Sequence, residues 1–456
     1  MAPRLIESLA TTASLAEVFS DRSVLQSLLD FEVSLASAEA ELGIIPQSAA
    51  STIAAAARPD EFDFAELSEG ILRGGTAGIP LAKTLTERVR KIDPNAAAFV
   101  HWGATSQDVA DTALVLLLKR ARKILAADLL RLEASLAKLS RDHSATLMLG
   151  RTLLQPAPPV TFGLKAAGWL GAVQRNRQRL ETAFDDALVV QFGGASGTLA
   201  SLGDKGPAVG RALASKLGLG CPDAPWHTHR DRLAGLVCAC GILCGSLGKM
   251  ARDVSLLMQA EVGEAAEPGG EGRGGSSTMP HKRNPIASAL ALAAAHRVPG
   301  EVAAFLAAMV QEHERGVGGW QAEWPIVATV IQSTGLALAS MAEAAEGLSI
   351  NAVRMRNNLA ATRGIVFAER AMILLTPKMG REAAHKVIEE ATRKSAAEGK
   401  HLADVLSEMP EITNRLEAEV IRQIETPEQY LGAASDFQET LLSGPKPVAG
   451  TEEEED

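Results

Sequence analysis

The amino-acid sequence predicts an all-α fold built on long helices, for three reasons. Residues 104–149 contain neither glycine nor proline, and apolar side chains recur along them every three or four residues, which is the period of one helical face. Aromatic residues make up only 4% of a chain rich in alanine, a composition that favours helix. Alternating strand patterns are scarce. The apolar stripe comprises Leu114, Leu118, Ala121, Leu125, Leu129, Leu132, Leu136 and Leu139.

The helical segments group into three predicted domains along the chain. An N-terminal domain spans residues 1–112 and contains a periodic helix, Asp21–Leu42, which Gly43 closes as a C-terminal cap. A central bundle spans 113–360, and shorter helices form a domain over 361–446, ahead of an acidic tail at 447–456. The other predicted helices are Ala104–Leu149, Ala166–Ala187, His229–Val262, Ile286–Glu312, Ala322–Glu346, Phe367–Leu375, Gly380–Glu398 and Leu402–Ser407.

The helix predicted at residues 104–149 indicates how the bundle is built. Forty helical residues span about 60 Å, so the apolar stripe is buried only against partners of similar length, which favours a long bundle that includes other subunits. A second predicted helix carries four glycines, which allow neighbouring helices to approach closely. These are Gly235, Gly241, Gly245 and Gly248.

Composition and charge exclude several classes of protein. Lys plus Arg number 45 against 55 Asp plus Glu, a net charge of −10, so no basic excess is present for nucleic-acid binding. The N-terminus lacks the apolar stretch of a signal peptide. The longest uncharged run, residues 324–342, contains Pro325 and Gly335 and fits a buried bundle helix better than a bilayer span. We therefore expect a soluble, cytoplasmic protein.

The sequence predicts neither a metal site nor a cofactor. Four cysteines provide no disulfide framework, and we expect them to be reduced thiols of the core. His227 and His229 have no acidic or thiolate partner at the spacing of metal ligands. The glycine-rich stretch Gly74–Pro80 lacks the spacing of a nucleotide-binding fingerprint.

The segment least suited to helix is Pro268–Pro285, PGGEGRGGSSTMPHKRNP. It contains five glycines and three prolines, so it predicts a long loop between two helices. Such loops in compact helical proteins are usually functional or disordered, and composition alone supports both interpretations equally. The basic residues directly before the next helix favour function.

The order of residues in this loop resembles a known signature. Gly275–Pro285 is similar to the signature loop of the fumarase/aspartase superfamily, and His101–Asp108 and Gly150–Gln155 resemble further family segments in the expected order. Within the superfamily, four segments are similar to the bacterial 3-carboxy-cis,cis-muconate cycloisomerases. They are Gln191–Gly197, Pro225–Thr228, Gln311–Arg315 and Gly319–Trp324. The resemblance implies a homotetramer with a shared central bundle and active sites where three subunits meet.

The resemblance also implies a reaction. Superfamily members add to, or eliminate across, a carbon–carbon bond next to a carboxylate, and fixed donors and cations stabilise the charge that develops there. By resemblance Ser276 transfers the proton, activated by the positive charge of Lys282; the alternative is that Ser276 only caps the loop. His101 shares the proton transfer, hydrogen-bonds a substrate carboxylate or is structural. Gly74–Pro80 either borders the substrate pocket or forms a simple turn.

The implied substrate is a tricarboxylate, so several cations and donors are expected around it. Arg151, Arg283 and Arg315 are the candidate cations. The complete set of predicted substrate-binding residues is Thr105, Ser106, Arg151, Thr152, Gln155, Arg283, Asn284, His313 and Arg315.

One residue departs from the superfamily pattern. Lyases of the superfamily usually carry a histidine in a Gln-His-Ala segment, where this chain has Gln155-Pro156-Ala157, and proline has no proton to give. A lactone opens to a carboxylate, whose pKa is about 4 and which needs no acid to leave. We therefore expect a cofactor-independent cycloisomerase that lactonises 3-carboxy-cis,cis-muconate in aromatic-acid catabolism. The open alternatives are a 3-sulfomuconate cycloisomerase, a fumarate-releasing lyase such as adenylosuccinate lyase, and a non-catalytic homologue.

Overall fold

The structure, a computed structural model, describes residues 5–269, 274–275, 279 and 282–444, and within them it is predominantly helical. This confirms the predicted all-α class. The helices are α1 (Ala13–Val18), α2 (Asp21–Glu41), α3 (Gln47–Ala56), α4 (Phe64–Gly74), α5 (Gly78–Ile92), α6 (Ser106–Asp142), α7 (Phe162–Ala187), α8 (Gly206–Leu217), α9 (Asp231–Leu257), α10 (Ile286–Ala308), α11 (Gly319–Glu346), α12 (Ala352–Ala360), α13 (Ala368–Met379), α14 (Arg381–Glu398), α15 (Leu402–Glu408), α16 (Pro410–Thr413), α17 (Ala418–Gln423) and α18 (Ala434–Leu442). The strands are β1 (Leu147–Thr152), β2 (Gln155–Thr161), β3 (Ala265–Ala266) and β4 (Ser349–Ile350).

The longest helix, α6, is the one that the apolar stripe predicts. It has 37 residues, and every member of the stripe from Leu114 to Leu139 is at most 8% exposed. The helix ends at Asp142 rather than at Leu149, because the last predicted residues form β1 instead. The shorter helix α2 closes as expected, since Gly43 follows it with a φ of +64°.

The β1–β2 hairpin was not predicted from the sequence. Its strands pair in antiparallel fashion from Leu147 and Thr161 to Thr152 and Gln155. Three prolines between Gln155 and Val160 obscure the strand pattern, because proline cannot donate to a ladder and is confined to edge strands or bulges. The strands approach so closely that a β-carbon at Gly150 would lie 2.3 Å from the Pro158 carbonyl oxygen.

The chain divides into two compact units, each assembled from three stretches. The first comprises Met1–Leu130, Asn176–Lys249 and Ala289–Met341, and the second comprises Arg131–Arg175, Met250–Ser288 and Ala342–Asp456. The domain boundaries expected at residues 112 and 360 stay predictions. The two units divide long helices such as α6 between them, so their limits cannot be compared directly with boundaries between successive domains.

Each unit has its own hydrophobic core. In the first unit α2, α3, α5 and α8 pack together around side chains such as Phe31, Leu81 and Leu213, all fully buried. In the second unit α13, α14 and α15 pack around side chains such as Leu375 and Leu406, which are fully buried as well.

Small residues bring α9 and α10 together at two of the four predicted glycines. A β-carbon at Gly248 would lie 2.6 Å from the β-carbon of Ala295, and one at Gly241 would lie 3.0 Å from Val302 Cγ2. Larger side chains at these two positions would separate the helices. Gly235 and Gly245 instead face open space.

The four cysteines are free thiols in different environments. Cys240 and Cys244 are fully buried, Cys238 is half-buried and Cys221 is exposed. Burial raises the pKa of Cys244 to about 11, which keeps it protonated. The expected core location is therefore confirmed for Cys240 and Cys244. It is wrong for Cys221, which lies in the loop after α8.

Three helices are long and apolar enough to cross a membrane by length and composition alone: α9, α10 and α11. The uncharged runs in the sequence, such as residues 324–342, are shorter than the helices that contain them. The most apolar windows of α9 and α11 are 61% and 67% buried, whereas that of α10 is only 22% buried. Within the described chain, α9 and α11 are mostly interior helices, and α10 leaves most of its apolar window uncovered.

Candidate active site

A buried carboxylate at the start of α6 organises a polar site in the first unit. Asp108 is completely buried and accepts hydrogen bonds of 2.9–3.0 Å from the backbone N–H groups of Thr105, Gly193 and Gly194. Its Oδ1 also lies 2.7 Å from His227 Nε2. The positive end of the helix dipole favours a carboxylate at this position. Four partners thus join the α6 N-terminus to two other segments of the chain.

The two glycines beside Asp108 have no room for side chains. A β-carbon at Gly193 would lie 2.7 Å from His227 Cε1. Gly194 has a φ of +67°, and a β-carbon there would lie 2.9 Å from the Gly103 carbonyl oxygen. Glycine is therefore required at both positions for the backbone to reach the Asp108 carboxylate.

Arg315 binds the same group of segments. Its Nη1 donates to Thr105 Oγ1 at 3.1 Å, and its Nη2 donates to the Ala195 carbonyl oxygen at 3.0 Å. The guanidinium is only partly buried, so Arg315 brings a positive charge to the Thr105 hydroxyl. Two predicted substrate-binding residues are thereby placed in direct contact.

His101 pairs with a carboxylate that the sequence analysis did not identify. Its Nδ1 lies 2.7 Å from Glu32 Oε1, and Glu32 is 1% exposed. Burial by itself lowers the pKa of His101, but the charge and hydrogen bond of Glu32, together with the charge of Asp108, outweigh it and raise that pKa. The ring therefore carries positive charge more readily than an ordinary histidine.

The glycine-rich turn before α5 packs against the predicted site. A β-carbon at Gly78 would lie 2.6 Å from Ser106 Cα, so only glycine lets the start of α5 approach the start of α6. Within the stretch Gly74–Pro80, residues 75–77 form the turn between α4 and α5, and Gly78 begins α5. The interpretation as a turn is therefore confirmed, and a place beside the substrate pocket stays a prediction.

A second charged cluster lies one turn further along α6. Arg230 is completely buried between Asp111 and Glu323, with N–O distances of 2.5–3.0 Å. Its guanidinium also stacks on the ring of Trp226, 4.6 Å from the centroid. Burial raises the pKa of Glu323, although the hydrogen bond and charge of Arg230 oppose the rise.

This cluster also holds the segment that carries His313 and Arg315. Trp320 Nε1 donates to Asp111 Oδ1 at 3.1 Å, and Gln311 Nε2 donates to Glu323 Oε1 at 2.7 Å. The segment between them is therefore anchored at both ends. His313 itself is exposed with a φ of +48°.

In the second unit Arg151 binds a buried carboxylate. Its Nη1 and Nη2 donate to the two oxygens of Glu264 at 2.9 and 2.7 Å, and Asn358 Nδ2 donates to Glu264 Oε1 at 2.7 Å. Glu264 is completely buried, whereas the Arg151 side chain is 26% exposed. Part of the charge of Arg151 is therefore neutralised within the chain, which weakens its candidacy as a free substrate cation.

The tip of the β1–β2 hairpin carries two further predicted residues. Thr152 and Gln155 pair across the tip and are exposed. The two residues between them, Leu153 and Leu154, have φ values of +50° and +64° and are 96% and 72% exposed. Such backbone geometry is unfavourable for leucine, and strain of this kind concentrates at functional sites.

The end of the signature loop is tied down at the start of α10. Glu267, just before the loop, accepts hydrogen bonds from Ala287 N at 3.0 Å and from Ser288 N at 2.9 Å. Asn284 N donates to the Gly274 carbonyl oxygen at 2.9 Å. Lys282 and Arg283 are exposed. Ser276, the predicted proton-transfer residue, lies outside the described residues.

The predicted site residues fall into two groups. His101, Thr105, Ser106, His313 and Arg315 belong to the first unit. Arg151, Thr152, Gln155, Lys282, Arg283 and Asn284 belong to the second unit. Their roles in binding and catalysis stay predictions.

Sequence reasoning missed the buried groups that support the first set. Glu32, Asp111 and Arg230 carried no spacing signal, because their partners lie 69 to 119 residues away along the chain. His227 lies in Pro225–Thr228, a segment that resembles the family, but the sequence suggested only a role as a metal ligand for it. Among the described residues, no group of three His, Cys, Asp or Glu side chains could hold a metal ion.

Comparisons with known proteins agree with this architecture. A family model described as Lyase matches residues 8–300, and one described as Adenylosuccinate lyase C-terminus matches residues 364–441. The 3-carboxy-cis,cis-muconate cycloisomerase of Bradyrhizobium diazoefficiens is 49% identical over 96% of this chain and 97% of its own length. That of Pseudomonas aeruginosa is 47% identical over 97% of this chain and 96% of its own length.

A solved structure is similar over the same extent. The crystal structure of 3-carboxy-cis,cis-muconate lactonizing enzyme from Pseudomonas putida has a TM-score of 0.90 and 44% sequence identity to this chain, with coverage of 97% of this chain and 98% of that chain. The likeness therefore covers both units.

Proposed function

Since the chain belongs to the lyase family of the fumarase/aspartase superfamily, we propose that it is a cycloisomerase that lactonises 3-carboxy-cis,cis-muconate. The observation that carries this proposal is its identity of 49% and 47%, over almost the whole length of both chains, to enzymes of that name. It is an enzyme of aromatic-acid catabolism whose substrate is a small tricarboxylate.

The reaction rearranges one molecule and needs no second substrate. A carboxylate oxygen of the muconate forms a bond to a carbon of one double bond, and the adjacent carbon receives a proton. In between, negative charge builds up next to a carboxylate, and fixed donors and cations lower the energy of that state. Lys282 and Asn284 supply a charge and an amide for this purpose, and Ser276 delivers the proton to carbon.

The polar site of the first unit supports recognition of the remaining carboxylates. Arg315 presents its charge beside the Thr105 hydroxyl, and the charge and hydrogen bond of Glu32 help to raise the pKa of His101 against the effect of burial. Ser106 lies next to them on the first turn of α6, where helix N–H groups favour anions. The other residues proposed to bind the substrate are Arg151, Thr152, Gln155, Arg283 and His313.

Pro156 favours lactonisation over release of an amine. It lies in β2 opposite Arg151, at the position where superfamily lyases carry their histidine, and it can neither give nor take a proton. An amine leaving group requires a general acid, whereas the attacking carboxylate of a muconate is already ionised at neutral pH.

The protein acts as a cytoplasmic homotetramer in which the long helices form a shared bundle. The uncovered apolar window of α10, only 22% buried within the chain, supports association, since a soluble monomer rarely exposes a large contiguous apolar surface.

The decisive experiment follows the loss of the conjugated diene of 3-carboxy-cis,cis-muconate by absorbance. Wild type, Ser276→Ala and Ser277→Ala are compared with EDTA present and no cofactor added. We expect rapid loss with wild type and Ser277→Ala, and a rate lower by about a hundredfold or more with Ser276→Ala.

Three other outcomes change the proposal in different ways. Full activity in Ser276→Ala keeps the function and moves the proton donor elsewhere. Turnover by wild type of 3-sulfomuconate alone changes the substrate. Turnover of adenylosuccinate alone, or of no polycarboxylate, refutes the cycloisomerase assignment.

A further inference from the structure

We propose that Glu32 is a positioning residue, which holds His101 by its Nδ1–H so that Nε2–H is presented as a charged donor to a substrate carboxylate. The inference rests on the proposed function, because it names one of the groups that recognise the tricarboxylate. Glu32 lies on α2, far along the chain from every family-like segment.

The hydrogen bond determines which ring nitrogen carries the proton. Glu32 Oε1 lies 2.7 Å from His101 Nδ1, and an ionised carboxylate can only accept, so the proton is on Nδ1. Nε2 has no hydrogen-bond partner among the described residues, and the ring is 19% exposed. The pairing therefore leaves the second nitrogen available to a ligand.

The backbone of His101 is held in a geometry that it would not choose alone. Its φ is +59°, and Gly103 follows with +71°. Left-handed geometry in a histidine persists only where surrounding contacts impose it. The Glu32 hydrogen bond is one such contact. Leu202 also packs closely on Gly103, where a β-carbon would lie 2.8 Å from its side chain.

The charged groups around the ring favour the imidazolium. Glu32 and Asp108 both raise the pKa of His101. A further carboxyl, Glu39, lies on the same helix as Glu32, but burial raises its pKa to about 9, so it is neutral at pH 7. Arg315 donates to Thr105 Oγ1. The Glu32 and Asp108 carboxylates therefore favour the protonated form of the His101 ring, which Glu32 binds through Nδ1.

The test uses Glu32→Gln in the full-length enzyme, with histidines 13C-labelled at Cε1. The His101 signal is identified by its absence in His101→Asn. We expect its titration midpoint to move to lower pH in Glu32→Gln, because the anion that favours the imidazolium is gone.

The same charge controls substrate binding if the inference is correct. KM for 3-carboxy-cis,cis-muconate then rises as pH passes the His101 midpoint, and this rise occurs at lower pH in Glu32→Gln. Between the two midpoints, KM of the variant exceeds that of wild type by about tenfold, and His101→Asn loses the pH-dependent rise altogether. The matched control is Glu425→Gln, which removes the partner of His401, 2.8 Å away in the second unit, and leaves the KM profile unchanged.

Three outcomes overturn the proposal. They are a His101 midpoint that is the same in Glu32→Gln and wild type, a shifted midpoint with an unshifted KM profile, and a KM rise that persists in His101→Asn. If wild type does not turn over the muconate, the proposed function has failed separately. The pH dependence is then measured by calorimetric binding of propane-1,2,3-tricarboxylate, with the same expected and contrary results.

Discussion

The first unit contains a fully buried cluster of charged side chains, whereas a network of charged side chains on the C-terminal helices lies at the surface. Arg230 and its two carboxylate partners are completely buried. Lys394, Lys400 and Glu408 form a network of similar N–O distances with side chains 36–43% exposed. The chemical groups are nearly the same in the two places, but solvent screens only the second set. Similar geometry therefore has very different energetic consequences.

The difference explains why the buried charges lie next to the candidate site. A buried ion pair gains little net stability over apolar residues of the same shape, yet removing one partner is costly because the other charge is left uncompensated. A segment that moved away from the cluster would leave a buried charge without its partner. The cluster therefore holds the segments that carry its residues in one position. Around α6, that position brings Arg315 into contact with Thr105.

The largest effect is expected from Arg230→Met. It leaves Asp111 and Glu323 buried without a cation, which should lower the free energy of unfolding by about 3–5 kcal/mol. Urea unfolding followed by circular dichroism measures this change. Arg230→Lys keeps the charge but cannot bind both carboxylates with a planar guanidinium. Its free energy of unfolding should therefore lie between those of wild type and Arg230→Met. Equal midpoints for Met and wild type would contradict the importance of the cluster.

Asp108→Asn should have the next largest effect. An asparagine offers one accepting oxygen, so at least one of the N–H groups now bound by the carboxylate faces an NH₂ group. We expect a loss of about 2 kcal/mol in unfolding free energy and a fall of about tenfold in kcat/KM, because the segments of Thr105 and Gly194 are no longer held. Urea unfolding and the muconate assay test the two parts separately. A variant with normal kcat/KM would show that this carboxylate does not organise the site.

Glu39→Gln tests a buried carboxyl that has no ion-pair partner in the described part of the chain. Glu39 is 1% exposed, and its Oε1 has no hydrogen-bond partner among the described residues. Burial raises its pKa from 4.5 to about 9, so the unfolded chain binds fewer protons than the folded one between these values. Stability due to this residue is therefore lost as pH rises through that window, and glutamine removes the loss.

The measurement for Glu39 is the urea midpoint at pH 5, 6, 7 and 8. The variant should gain stability relative to wild type as pH rises, by about 1.4 kcal/mol for each pH unit between the two pKa values. The exposed Glu66→Gln on α4 serves as the control and should show no such trend. A constant difference between Glu39→Gln and wild type would mean that Glu39 is ionised in the folded protein.

The smallest effect is expected in the surface network. Glu408→Gln removes one partner of Lys394 and of Lys400, but Lys400 keeps its ion pair with Glu398, and water screens these exposed charges. We expect an unchanged urea midpoint and unchanged kcat/KM in both low and high salt. A clear loss of stability would remove the contrast between the two regions.

The sequence predicted the long helices because helix periodicity is local, but it did not predict shorter ones such as α3, α5 and α8. Long helices with clear apolar stripes, such as α6 and α11, were located to within a few residues at most ends. The β1–β2 hairpin was missed, because its proline-rich strand has no alternating pattern and its pairing depends on contacts across the turn. The predicted end of α6 at Leu149 was wrong for the same reason.

The fold class, the family and the residue types that could perform the chemistry were all readable from the sequence. They depend on patterns within short segments, such as Gly275–Pro285 and His101–Asp108. The pairing of Glu32 with His101, and of Asp108 with His227, became evident only in the folded chain. Those contacts join residues 69 and 119 positions apart, and their strength depends on burial. Burial is a property of the packed chain, because water is excluded only after distant segments have come together.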